Sequence, residues 1–148
     1  LAYITQSDIE DQLSESELIQ LTDDSGAGQV DSNVVARAIA DADDEVNSHL
    51  QERYTVPLSP VPGLIRKLSV DVAIYNLYSR RDLDAPVRTK RYEDATKLLK
   101  ALARGEASLG VEAPPAETND EEVQTTRKKA DRVFTSKKGD TTGTLDNF

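Results

Sequence analysis

The chain has 148 residues, of which 37% are hydrophobic, enough for one domain with one modest core and an arm beside it. It contains no cysteine, which excludes disulfides, thiolate metal sites and a cysteine nucleophile and fits a reducing compartment. No apolar run approaches the roughly 20 residues needed to span a bilayer, and the first residues lack the basic-then-apolar pattern of an export signal, so a soluble protein without a membrane partner is expected.

The net charge of -9 is unevenly placed. Residues 1–52 hold 13 acids and one base, Arg37; residues 53–111 hold six acids and 11 bases; residues 112–148 hold eight acids and six bases. A chain with one acidic and one basic half can attract copies of itself head to tail, the contact type that closes into rings. The competing reading is a solvated surface with no partner.

Ser7–Glu10 and Ser14–Glu17 each match the capping box, a hydroxyl followed three residues later by Glu. They predict two short helices, the first ending near Leu13 and the second carrying Leu18, Ile19 and Leu21. Asp31 caps a long third helix whose Val35, Ile39, Ala42, Val46 and Leu50 form one apolar stripe. Asp41, Asp44, Glu45 and Glu52 fall mostly off that stripe, on a solvated or partner-facing side. Pro57, Pro60 and Pro62 then set a rigid elbow, because proline lacks an amide donor and pushes the preceding residue toward extended geometry. Leu64, Ile65, Leu68, Val72, Tyr75 and Leu77–Tyr78 continue at helical spacing to about Arg81, over a wide arc. Asp84-Ala-Pro86 opens a last helix, with Tyr92, Ala95, Leu98, Leu99 and Leu102 on its buried face and Gly105 as its stop. Ser108–Val111 is expected to be a short extended segment. No period-two alternation is long enough for a sheet.

The fold class is therefore all-α: a small helical bundle over residues 1–107, with an extended C-terminal arm over 108–148. The expected core includes Val35, Ile39, Val46, Leu50, Leu68, Val72, Leu98 and Leu102. Beyond Pro114-Pro115 the chain is too polar to fold alone, and its apolar points Phe134 and Phe148 are expected to anchor the arm on neighbouring chains.

Candidate chemistry is sparse. Residues 23–34 resemble a calcium loop at Asp23, Ser25, Gly28, Val30 and Asp31, but Ala27 and Val34 stand where the ion needs oxygen ligands, the last a bidentate Glu. A calcium-responsive or regulatory helix-loop-helix module over residues 14–54 stays as the alternative function. His49 is the one histidine, placed as a partly buried or interface residue before a general base. No nucleophile elbow, phosphate loop or zinc-protease motif is present, so no enzyme, cofactor, catalytic residue or metal site is expected. The basic clusters Arg80-Arg81, Arg88–Arg91 and Arg127–Lys129 could meet phosphates. In so acidic a chain, without a recognition-helix pattern, contact with the acidic half is their simpler use.

The residues Tyr3-Ile4-Thr5, Leu18–Asp23 with its glycine loop, Asp41-Ala42, Arg53–Leu58, Val61-Pro62, Arg91–Ala95 and Val133–Ser136 together resemble the Mu-like phage head-completion proteins, also called head-tail adaptors or connectors. The resemblance covers nearly the whole chain; it departs from the family at Ala27 and in the longer ending from Lys137 to Phe148. It implies a ring, of twelve copies, beneath the portal protein. Such a ring would join the head to a tail or tail-terminator protein and continue the channel for genomic DNA, which passes without sequence-specific binding. The implied location is the virion neck, after assembly in the host cytoplasm. The expected subunit contact sets Asp41, Asp44 and Glu45 against Arg80, Arg81, Arg88 and Arg91, with Arg66, Lys67 and Lys90 beside them.

Overall fold

A computed structural model describes residues 2–110, which form five helices with no strand among them. They are α1 (Gln6–Glu10), α2 (Glu15–Thr22), α3 (Ser32–Leu50), α4 (Gly63–Arg80) and α5 (Pro86–Arg104). The all-helical expectation holds. From Val111 on, the arm, with Phe134 and Phe148, lies outside the described residues.

The three long helices pack on one another, and α4 also touches α1 and α2. That central position explains the wide apolar arc of α4, where Ile65, Leu68, Val70, Val72, Ala73, Ile74 and Leu77 are all buried. A surface helix needs one apolar stripe; a helix with neighbours on several sides needs more. The stripe of α3 is buried as expected at Val35, Ile39, Ala42, Val46 and Leu50. On α5 the buried residues are Ala95, Leu99 and Leu102, while Leu98 is only partly covered. The expected placement of Leu98 inside is thus corrected by one position: adjacent leucines share a helix face only in part, and the seam falls on Leu99.

Local chemistry sets the helix ends. Ser14 caps α2 by accepting from the Glu17 N–H at 3.3 Å, and the Glu17 carboxylate accepts from the Ser14 N–H at 3.0 Å. For α1 the expected box at Ser7 is two residues late. Thr5 stands at the start, and the Asp8 carboxylate accepts from the Thr5 N–H at 2.7 Å and from its hydroxyl at 2.9 Å. Asp serves as well as Glu in reaching back across three residues, which leaves Ser7 inside the helix. Asp31 caps α3 by accepting from the Asn33 N–H at 2.9 Å. Gly105 ends α5 in the left-handed conformation at φ 75°, where a side chain is strained. Between α3 and α4 the proline elbow has cis bonds at Val56–Pro57 and Ser59–Pro60, and Tyr54 and Leu58 plug it into the core. Beyond Gly105, Ser108–Gly110 has no regular element, and Val111 lies outside the described residues.

Candidate functional site

The charged residues expected to meet a neighbouring copy occupy two places in this fold. Around the α2–α3 loop, Arg80 donates to the Asp24 carboxylate at 3.1 Å, and Arg81 lies 3.2 Å from the same group. Arg81 also donates to the carbonyls of Asp23 at 2.6 Å and Leu21 at 3.4 Å. Those carbonyls belong to the open C-terminal end of α2, where a guanidinium both fills hydrogen bonds and opposes the helix dipole. The same loop is closed at its neck by the buried Thr22, whose hydroxyl donates to Leu18 O at 2.7 Å and accepts from the Asp31 N–H at 3.1 Å.

Inside the loop the Asp23 carboxylate accepts from the Gly28 N–H at 2.7 Å, the Ala27 N–H at 3.0 Å and the Ser25 hydroxyl at 3.2 Å. The amides of Gly28 and Ala27 and the Ser25 hydroxyl hold its pKa below the ordinary carboxylate value. With Asp31 engaged on the first amides of α3, the loop's two best oxygen donors already serve the backbone. Among the described residues no group of three or more His, Cys, Asp or Glu is arranged to hold a metal ion.

At the α1–α5 corner, Arg88 donates to Gln12 O at 3.0 Å and Arg91 to Gln12 Oε1 at 3.1 Å. Arg91 also faces the buried carboxylate of Asp71 on α4 at 3.9 Å. Arg80, Arg81, Arg88 and Arg91 therefore all reach the acidic N-terminal stretch of their own chain. Part of the attraction between the two halves of the sequence acts within one chain.

Asp41 and Asp44 are exposed on α3. Glu45, one position further, accepts from the Tyr92 hydroxyl at 2.9 Å. Tyr92 itself stacks on Tyr75 with ring centroids 4.0 Å apart. Burial first, and the Glu45 carboxylate second, raise the Tyr92 pKa. His49 is half-buried in the last turn of α3.

Sequence reasoning missed the joint made by Tyr3. Its N–H donates to both oxygens of Asp43, at 3.3 and 3.2 Å, and its hydroxyl donates to Asn47 and accepts from the Leu58 N–H at 3.0 Å. One side chain thus joins the start of the chain, α3 and the proline elbow. The period of α3 carried a signal: Asp43 follows Ile39 by four residues, on the buried side, where a lone carboxylate needs a donor.

Alongside α3 this joint frames a groove of about 490 Å³. It is lined by Ala36, Ile39, Ala40, Asp43 and Asp44 of α3 and by Ile4 and Pro57.

Residues 3–128 match the family described as Bacteriophage Mu, Gp36. The Mu-like prophage FluMu protein gp36 of Haemophilus influenzae is 33% identical over 85 residues, covering 57% of this chain and 59% of that protein. Gene product J of Escherichia phage Mu is 30% identical over 89 residues, covering 60% of this chain and 62% of that protein. The matches to these relatives thus span less than two thirds of their length.

Proposed function

The chain belongs to the bacteriophage Mu Gp36 family, and from that premise we propose that it is a structural head-tail adaptor: a ring of about twelve copies below the portal that carries the tail and continues the DNA channel. The observation that carries this reading is the division of charge over the subunit. Four arginines brace the subunit's own N-terminal segment, while Asp41 and Asp44 stand exposed on the outer side of α3. A rigid helical body with an outward acidic row can take the bases of an adjoining copy, such as the exposed Arg66 and Lys67. Turned to a channel instead, the same row would repel phosphate and let DNA slide. The role is architectural, with the portal above, a tail component below and the virion neck as its place.

The test is a phage lacking this gene, examined by electron microscopy. Filled heads separated from complete tails are expected, and adding the purified protein should rejoin them. Purified protein viewed alone or with portal should form rings whose mass is a multiple of 16.2 kDa. Infectious particles assembled without the protein would refute the reading.

A further inference from the structure

The groove beside α3 has two unlike parts. Ala36 and Ala40 are exposed and one helical turn apart, so their short side chains leave a depression over Ile39. Further along α3 Asp44 is exposed, and Asp43 next to it is held by the Tyr3 N–H. A ligand for this surface needs an apolar group and a cation at a fixed separation. From the middle of the Ala36–Ala40 turn to Asp43–Asp44 is about 8 Å along the helix, at a rise of about 1.5 Å per residue.

We propose that this groove receives the segment Arg127–Phe134 of a second copy of the chain. Outside the described residues the sequence offers few apolar anchors, and their charge context separates them. Val133 and Phe134 stand between Arg127, Lys128, Lys129 and Arg132 on one side and Lys137 and Lys138 on the other, with Asp131 as the one acid in that stretch. Phe148, the other aromatic there, lies near Asp140 and Asp146, with no base after Lys138. Only the first can place an aromatic ring on the alanine turn and a guanidinium at Asp44. In extended geometry the two residue steps from Arg132 to Phe134 would span about 7 Å, which matches the spacing of the groove. The 17 steps from Gly110 to Arg127 cover at most about 56–61 Å, more than the width of a domain whose radius of gyration is about 13 Å. A neighbour's groove is within reach. Assignment to a second copy rests on the ring proposed above.

The chain has no cysteine, so two can be added without background. Full-length chains carrying Ala40→Cys are mixed with full-length chains carrying Phe134→Cys and mildly oxidised. The products are resolved on a non-reducing gel and the linked peptides identified by mass spectrometry. A disulfide requires Cα atoms within about 7 Å, so the readout is positional. The mixed dimer is expected several-fold above that from a Phe148→Cys partner. Asp44→Lys in the Ala40→Cys chain should lower its yield several-fold, and Arg132→Asp in the other chain should restore part of the loss. Yields equal to the Phe148→Cys control, or unaffected by Asp44→Lys, overturn the assignment. A single chain carrying both cysteines that links only within itself shows the groove covered by its own arm, and also overturns it. Ring-sized particles without the link sink this inference alone; chains that stay monomeric at every concentration and form no link sink the ring with it.

Discussion

Asp71 and Arg91 face each other across the α4–α5 seam at 3.9 Å, beyond hydrogen-bond distance, and the two residues are unequal in surroundings. Asp71 is 8% exposed while the Arg91 side chain is half in solvent. Desolvation outweighs the attraction of Arg91, Lys67 and Arg88, so the Asp71 pKa is raised above its ordinary 3.8. Asp43 is raised for the same reason, against the opposing pull of the Tyr3 N–H. A raised carboxyl binds protons more readily in the folded chain, so its favourable contribution is complete at low pH. That contribution is lost as pH climbs from the ordinary value through the raised one. Asp71→Asn should therefore flatten the decline of stability on the neutral side of pH 4. Urea unfolding midpoints measured from pH 4 to 7 give the slope, and an unchanged slope would show that burial does not perturb this group. Asp8, Glu17 and Asp23 act in the opposite sense. Their pKa values are lowered chiefly by the Thr5, Ser14 and Gly28 amides, so their support is present above the ordinary values of 3.8 and 4.5 and disappears as pH falls through the lowered ones.

Helix ends are where single changes act on whole elements. Ser14→Ala removes an acceptor for the first turn of α2 and should lower stability by about 1 kcal/mol, within the 0.5–2 typical of lost caps; chemical denaturation measures it. Gly105→Ala has two costs. The backbone there is left-handed, which costs an L-residue about 1–2 kcal/mol. A Cβ would also lie 1.9 Å from the Arg53 guanidinium, which must move aside. Combining it with Arg53→Ala should recover the steric part and leave the conformational part, as a double-mutant cycle would show. The elements themselves were legible because their signals are local: Ser14–Glu17, Asp31, Pro86 and Gly105 stand at helix ends in the structure, and the α3 stripe is buried. The α1 start was misplaced because Thr5–Asp8 and Ser7–Glu10 compete two residues apart. What sequence could not give was tertiary choice. Arg81 pairs with carbonyls some 60 positions away, and Tyr3 with Asp43, Asn47 and Leu58 across 40–55 positions. No periodicity encodes those separations.

Among the described residues, α3 and α4 are the two helices that every other helix touches. Assembly by the exposed face of α3 should depend on several weak pairs, since an exposed ion pair contributes about 0–1 kcal/mol. Asp41→Lys alone is expected to weaken ring formation only slightly, and Asp41→Lys with Asp44→Lys to weaken it clearly, most of all at low salt. Sedimentation or light scattering at two ionic strengths would show it; no effect of the double change would place the subunit contact elsewhere. The shared position of α3 and α4 also divides the domain by how its parts can open. The short α1 can peel away and leave the α3–α4–α5 packing in place, whereas neither α3 nor α4 can leave without breaking its packing against every other helix. Hydrogen exchange should accordingly show a step: α1 amides trading protons by local fraying, and the amides around Val72–Leu77 only when the entire domain unfolds. A domain built this way can let its leading segment shift and still keep its central packing.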